Sequence, residues 1–515
     1  AALVTHNKDV RAWGQAKGLR VEAQDHGFAD RLSGLRVDWL LSIANLNIIP
    51  QTVLSLADQA VNFHDGPLPR YAGLNAPVWA ILNAEPQHGI TWHRMVAGVD
   101  EGAILEQRVF DIALNDTALT LNTKCFEAAI NSFPAVMAAL ESNAPGIPQD
   151  LNKRSEYRRA DRPAAAARLD FTLTAEQIAA MVRALDHGSY ANPLAVPKIE
   201  VAGRILLVTA VEPLPAGDGA PGTVTEASEA GLIVTCGKGA VHLSALMALD
   251  GSPVCPKSLQ VTQLASPGDD AQSITDAIAA AAPTEGAMRR RLAAITPLDV
   301  PYATVSSAPD WQSLPLAQPM DMVALGLGVA RALGQVSVDI GLQTALQSPY
   351  LSGWTPLHVD ASGTVEQAQS GFATALKSAQ PSAGFAIDLP RRDPTLAVLQ
   401  TPAITLSKDG PVTGSAITLT PETLYFDAAR LAKSDAQAFA ARLATLAEAL
   451  ANTATQTACG DLPIVMGEGE RRLDHVFHAL GATAGRRVPD LGHDRADELR
   501  AQRHELAQQC GRRQV

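Results

Sequence analysis

Positive charge is in short supply: 41 Lys and Arg stand against 53 Asp and Glu, a formal net charge of −12. A nucleic-acid-binding surface needs a basic face to neutralise phosphates, so that class of partner is disfavoured. Aromatic side chains make up only 4% of the chain, so its cores should be aliphatic. The five cysteines, Cys125, Cys236, Cys255, Cys459 and Cys510, are scattered and never form a CxxC pair. They read as free thiols, which excludes a disulfide framework and a cysteine zinc site, and no metal is expected. No signal peptide precedes the first strand and no apolar run approaches the length that spans a bilayer. The expectation is a cytoplasmic protein with no membrane partner. No two histidines are adjacent anywhere.

What the chain does have is length and one dense stretch of polar groups. With 515 residues and 47% apolar content it should form two to four soluble domains. Residues 61–105 read VNFHDGPLPRYAGLNAPVWAILNAEPQHGITWHRMVAGVDEGAIL. A mostly apolar segment from residue 57 reaches Asn62, Phe63 and His64, then breaks into Asp65-Gly66-Pro67-Leu68-Pro69. This is the pattern of a buried strand that carries Asn62 and His64 on one face to a rigid loop at its carboxyl end. In open α/β sheets, ligands bind at that end. A short helix follows at residues 76–82, then a strand at 89–95, a turn at Val99-Asp100-Glu101-Gly102 and a third strand at 103–109.

This stretch resembles the formyltransferases that use 10-formyltetrahydrofolate. The likeness rests on Asn62 and His64, on Pro69, Tyr71 and Gly73 in the loop, on Trp79-Ala80-Ile81, on Gly89-Ile90-Thr91 with His93, and on Asp100 with Gly102. A lone histidine or a lone Asp-x-Gly is usually a loop residue; the whole set in order and spacing outweighs that reading. The resemblance implies that Asn62, His64 and Asp100 are catalytic. Those roles also make physical sense: an amide donor for the tetrahedral oxyanion, a neutral imidazole to take the amine's proton, and a carboxylate to orient or polarise it. It further implies a pteridine pocket built partly by Leu46, Asn47, Ile48, Ile49 and Pro50, just before a short helix at Gln51. The loop departs from the family pattern at Gly66-Pro67-Leu68-Pro69 and Ala72-Gly73, where relatives carry Ser-Leu-Leu-Pro and Arg-Gly. That difference bears on the acceptor more than on the chemistry.

The surrounding chain fits α/β architecture. Apolar runs at 1–5, 19–23 and 37–43 alternate with helical segments, indicating a Rossmann-like parallel sheet over residues 1–150. By comparison with the family, the chain lacks its first βα unit. A helix at 120–140 should pack by its apolar stripe. A polar connector at 143–162 leads to residues 165–268, where five short strands separated by glycine turns suggest an OB-like barrel. Residues 271–283 read as a linker or loose helix. Residues 285–455 resemble the carboxyl-terminal part of a nonribosomal peptide synthetase condensation domain. Phe385-Ala386-Ile387-Asp388, Arg391, Pro394, a strand around residue 425 and a closing helix at 435–451 carry that likeness. A strand is expected at 384–388, and the region is expected to be α+β. The His-His-x-x-x-Asp motif is absent, so the region reads as a docking remnant. Residues 456–515 read as a linker and polar tail, similar at its start to the approach to an adenylation domain.

The expected function is transfer of a formyl group from the co-substrate 10-formyltetrahydrofolate to an amine, with an aminoacyl group on a carrier protein as acceptor and an adenylation domain as a further partner. The alternatives are transfer to a free small amine, hydrolysis of the same co-substrate, and a catalytically idle scaffold. A whole tRNA is disfavoured by the charge.

Overall fold

The computed structural model describes residues 1–296, 298, 308–346, 348–396 and 400–463. The tail beyond 463, including Cys510 and the adenylation-linker resemblance, lies outside the described residues. The chain divides into two compact units. Unit 1 comprises Ala1–Ala294, Thr344–Gly353 and Ser382–Leu399; unit 2 comprises Ile295–Gln343, Trp354–Pro381 and Gln400–Val515. The segment 285–455 thus contributes to both.

Unit 1 opens with β1 (Ala2–Val4), α1 (Lys8–Ala16) and β2 (Arg20–Glu22), followed by α2 (Phe28–Leu32), β3 (Val37–Ser42), α3 (Gln51–Leu54) and β4 (Ala57–His64). Next come β5 (Ala72–Gly73), α4 (Ala76–Leu82), β6 (Gln87–Arg94), β7 (Ile104–Asp111) and α5 (Ala118–Glu141). The element positions follow the sequence pattern closely; the sheet does not. β3 and β4 run parallel, but β6 is antiparallel to β4 and β7 antiparallel to β6. β1 and β2 form a separate parallel pair, not joined to the four-stranded sheet. The expected parallel sheet is therefore a mixed one. The short Val99–Gly102 turn allows β6 to return directly as a hairpin, whereas a parallel neighbour needs a crossover of a dozen residues or more.

The alternation along β4 and β6 sets the site. Val61, Phe63, Ile90 and Trp92 face a core completed by Cys125, Ala129, Val136 and Leu140 of α5. Trp92 Nε1 donates to Ser132 Oγ at 3.0 Å, so the indole is buried without losing its hydrogen bond. With a period of two, burying those residues turns Asn62, His64, Thr91 and His93 to the opposite face, and a one-residue slip would reverse it. Helix α5 starts from a capping box made by Thr117 and Thr120.

The connector after α5 is not free linker: β8 (Glu156–Tyr157) pairs in parallel with β5. Then α6 (Ala175–Ala184) packs on one sheet of β9 (Lys198–Val201), β10 (Arg204–Leu214), β11 (Val224–Ala227), β12 (Leu232–Thr235) and β13 (Ala240–Met247). The five strands are antiparallel in the order β11-β12-β13-β10-β9, and among the described residues the edge strands β9 and β11 do not pair with one another. The described pairing is that of an open five-stranded antiparallel sheet. Residues expected as a linker or loose helix form α7 (Ala271–Ala281), whose Ile274, Ala277, Ile278 and Ala281 are buried; α8 (Glu285–Ala294) follows.

Unit 2 contains β14 (Trp311–Pro315), α9 (Met322–Ala332), β15 (Ser337–Gln343), β16 (Trp354–Asp360), α10 (Val365–Ala379), β17 (Ile404–Leu406), β18 (Ile417–Leu419), β19 (Thr423–Asp427) and α11 (Lys433–Asn452). Six strands form one mixed sheet covered by these helices through an aliphatic core. The strand expected at 384–388 is absent: Ala386 makes one isolated bridge to Leu351 and a single helical turn follows at Leu389–Arg392, all in unit 1. Cys125, Cys236, Cys255 and Cys459 are free thiols. Among the described residues no helix is long and apolar enough to cross a membrane.

Candidate active site

The loop after β4 is held from below by the site face of β6 and β7. Thr91 Oγ1 donates to the Gly66 carbonyl at 2.8 Å and accepts from Leu68 N–H at 3.1 Å. Gln107, opposite Thr91 in register, donates through Nε2 to both Thr91 Oγ1 and the Leu68 carbonyl at 2.9 Å. The fully buried His88 donates from Nε2 to the Asp65 carbonyl at 2.8 Å, and burial lowers its pKa, which keeps it neutral. These anchors are side chains on rigid strands, which is the arrangement that holds a reacting group in place.

His64 is buried and donates from Nε2 to the Tyr71 carbonyl at 2.7 Å. That bond assigns the proton of the neutral ring to Nε2 and leaves the lone pair on Nδ1. Nδ1 faces Asp100 Oδ2 at 3.6 Å and Asp65 Oδ1 at 3.9 Å. Asp100 is fixed in turn: Oδ2 accepts from Gly73 N–H at 2.8 Å, and Oδ1 lies 3.3 Å from His93 Nε2. Its φ of 56° is left-handed, a conformation that Asp and Asn tolerate better than other side chains. Gly102 follows because a Cβ there would lie 1.7 Å from the Arg94 carbonyl oxygen.

His93 joins the two halves. Its Nδ1 donates to the Arg94 carbonyl at 2.9 Å, and its Nε2 stands 3.2 Å from Asn62 Nδ2. A neutral His93 accepts from the Asn62 amide at Nε2; an imidazolium donates from Nε2 toward Asp100. Burial on its own would raise the Asp100 carboxyl. The His93 hydrogen bond, the charge of His64 and the Gly73 N–H outweigh it and bring the pKa down to about 2. The carboxylate is ionised at neutral pH.

The structure therefore brings Asn62, His64 and Asp100 into one cluster, with His93 as the group in contact with both Asn62 and Asp100. Sequence reasoning gave His93 no role of its own and did not reach the loop-holding functions of Thr91, His88 and Gln107. The period-two alternation of β6 was the available signal, since it places Thr91 and His93 on the Asn62 face. Gly66 is a sensitive point, because a Cβ there would lie 2.6 Å from His64 Nε2 and 2.9 Å from the Tyr71 carbonyl oxygen. Gly66→Ala should separate that pair, lowering turnover about 100-fold, with an overpacking cost of about 1–3 kcal/mol. Steady-state kinetics and thermal unfolding of the variant check both. Wild-type turnover in Gly66→Ala would show that the His64–Tyr71 contact is dispensable.

Leu46, Asn47, Ile48, Ile49 and Pro50 form the loop between β3 and α3. Ser42 is paired in register with Asn62, so this loop leaves the sheet beside the Asn62 end of β4. Leu46 and Ile48 are 69% and 85% exposed, and Ile43 is 50% exposed. Ile49 instead packs toward Phe28, Leu32 and Val53. The Leu46 carbonyl accepts from Arg159 at 3.0 Å, and Asn45 bridges to the Asn47 backbone. Exposed aliphatic side chains beside backbone polar groups suit a flat heteroaromatic ring. Among the described residues no group of three or more His, Cys, Asp or Glu side chains is placed to hold a metal ion.

Comparison with known proteins gives a consistent pattern. The family described as formyl transferase matches residues 3–137, and the formyl transferase C-terminal domain matches residues 163–263. The methionyl-tRNA formyltransferase of Thiobacillus denitrificans is 35% identical over 221 residues, covering 42% of this chain and 69% of that protein. The Pseudomonas syringae pv. tomato protein of the same name is 32% identical over 228 residues, covering 43% and 69%. Among solved structures, HypX from Aquifex aeolicus in complex with tetrahydrofolic acid is 18% identical with a TM-score of 0.38, over 50% of this chain and 46% of that one. This chain thus spans under half the length of HypX. The N-formyltransferase of Helicobacter canadensis, in complex with folinic acid and dTDP-3-aminofucose, is 18% identical with a TM-score of 0.37, over 45% and 81%.

Proposed function

Because the chain belongs to the formyl transferase family, we propose that it transfers a formyl group from 10-formyltetrahydrofolate to an amine at the Asn62, His64 and Asp100 cluster. The observation that carries this reading is the orientation of His64. Its Nε2–H is committed to the Tyr71 carbonyl, so a proton leaving the amine is taken at Nδ1, 3.6 Å from an ionised Asp100. The imidazolium so formed is paired as it forms, which is the electrostatic arrangement a general base needs. Asn62 supplies the amide donor to the developing oxyanion; a neutral His93 accepts from that amide, and a protonated one donates to the Asp100 carboxylate instead. The loop of Leu46, Asn47, Ile48, Ile49 and Pro50 would hold the pteridine, with Leu46 and Ile48 against its ring faces and the loop backbone toward its polar edge.

For the acceptor, we infer an aminoacyl group on a carrier protein, with residues 285–455 as a condensation-domain-like docking region and an adenylation domain as neighbour. Two features support this: the chain continues beyond the formyl transferase regions into unit 2, and the last strand of unit 2 in chain order, β19, is followed by the long α11, the order that the resemblance rests on. The relatives named for methionyl-tRNA suggest a nucleic-acid acceptor, but the net charge of −12 opposes it. Tetrahydrofolate release measured with aminoacyl-carrier protein, a free amino acid and methionyl-tRNA in parallel tests the point. Turnover stimulated by the carrier alone is expected. Stimulation by methionyl-tRNA or by the free amino acid would replace the carrier reading, and equal turnover without any acceptor would indicate a hydrolase.

A further inference from the structure

The connector between the two family-matched regions reaches into the candidate site from two directions. Ser155 Oγ accepts from Tyr71 N–H and its carbonyl from Ala72 N–H, both at 2.9 Å, while the Tyr157 carbonyl accepts from Leu74 N–H at 2.8 Å. These bonds hold Tyr71 at a φ of 60°, with its own carbonyl on His64 Nε2. They also leave the Gly73 N–H free to donate to Asp100. The approach is close enough to require glycine at 73: its φ is +93°, and a Cβ would lie 2.1 Å from the Tyr157 carbonyl oxygen. The Tyr157 ring lies between Trp79 and Tyr71, with centroids 4.5 and 5.7 Å away. From the other side, Gln149 Nε2 donates to the carbonyls of Asp100 and Gly102, both at 2.7 Å, and Arg154 donates to the Val99 carbonyl at 2.8 Å.

We propose that Gln149 and Ser155 are positioning residues for formyl transfer, so that the connector sets the spacing between His64 and Asp100. Residues 149–157 fall between the two matched regions, 3–137 and 163–263, and neither of those regions includes this clamp. The geometry gives it a specific task. Ser155 fixes the backbone that orients the imidazole, Gln149 fixes the backbone that presents the carboxylate, and Gly73 N–H ties the two together. Losing either clamp leaves every reacting group present but free to move out of line, and small displacements of reacting groups are costly in rate.

This proposal rests on the formyl-transfer reading, and its test separates the two. Ser155→Ala, Ser155→Thr and Gln149→Met are made in the full chain. Steady-state kinetics with 10-formyltetrahydrofolate and the acceptor that supports wild-type turnover is combined with nitrogen-15 NMR of the imidazole side chains, which needs no activity. We expect kcat about tenfold lower in Ser155→Ala and Gln149→Met, with KM little changed and recovery in Ser155→Thr. The His64 Nε2 proton should exchange with water at least tenfold faster in Ser155→Ala while the Tm falls by only a few degrees. An unchanged His64 ring proton in both variants, or a loss of kcat that tracks the unfolded fraction, would overturn the proposal. If the wild type shows no turnover with aminoacyl-carrier protein, a free amino acid or methionyl-tRNA, formyl transfer is refuted, and the ring-proton exchange still decides whether the connector positions His64.

Discussion

Replacing Asp100 by Asn should lower kcat about a thousandfold, the scale set by a positioned acid–base group, while the protein stays folded. The left-handed backbone at residue 100 suits Asn as well as Asp, and the amide oxygen can still accept from Gly73 N–H. What disappears is the negative charge that faces His64 Nδ1 and His93 Nε2. His64 then takes up a proton with only the more distant Asp65 Oδ1, at 3.9 Å, to pair it. The same charge contributes to stability in a pH-dependent way. Asp100 is held down from its ordinary 3.8 to about 2, a difference worth about 2 kcal/mol. Because the folded-state value is the lower one, that contribution is complete above about pH 4 and is lost as the pH falls toward 2. Wild type and Asp100→Asn should therefore differ by about 2 kcal/mol where the carboxylate is ionised and His64 and His93 are protonated, and converge as the pH falls toward 2. Hydrogen exchange of the β4 and β6 amides at several pH values reads this out. A kcat loss below tenfold would remove Asp100 from the chemistry, and a stability difference that persists at pH 2 would contradict the assigned charge pairing.

The largest stability effect is expected at Asp388. Its carboxylate is buried in unit 1 against Lys198 Nζ at 2.5 Å, Arg392 Nε at 3.0 Å and Val196 N–H at 2.9 Å. Burial alone would raise its pKa, but the charges of Lys198 and Arg392 hold it well below the usual carboxylate range. Arg392 also binds Glu285 at 2.7 Å, and Glu285 in turn meets Arg162 at 3.3 Å. Removing one partner of such a network leaves charges buried without compensation, which costs about 3–5 kcal/mol. Asp388→Ala should lower the unfolding temperature of unit 1 by on the order of 10 °C. Asp388→Asn, which keeps the acceptors for Lys198 and Val196, should lie between the two. Differential scanning calorimetry distinguishes them. If Asp388→Ala falls within 1 kcal/mol of wild type, the network is not what holds Ser382–Leu399 in unit 1.

Asp388 also shows where sequence reading stopped short. From sequence, the segment 384–388 reads as a strand of the 285–455 region, since alternation is the only local cue. The structure makes it a turn in unit 1, and its determinant is Lys198, far away in sequence. Deleting everything after residue 271 would therefore not release an intact formyl transferase half: it would remove Glu285, Asp388 and Arg392 and leave Lys198 buried alone. The α7 segment reads from sequence only as a linker or loose helix because alanine carries little periodic contrast, yet Ile274 and Ile278 face a core. Where local signals were strong, reading succeeded. Helix α4 and the hairpin of β6 and β7 lie where Trp79-Ala80-Ile81 and the Asp100 turn placed them. Asn62, His64 and Asp100 lie in one cluster because the alternation of β4 and the turn at 99–102 both act over short range. The anchors Gln107, Gln149 and Ser155 carry no motif of their own; only their distance to the loop backbone reveals them. Strand direction was the other weak point, as alternation says which face is buried but not whether neighbours run parallel.

Transfer at this cluster is tested most directly by the fate of a carbon-13 formyl label on 10-formyltetrahydrofolate. One labelled formamide should form per tetrahydrofolate released, with both products lost together in Asn62→Ala and His64→Ala. Labelled formate in place of formamide, or equal turnover in both variants, would contradict it.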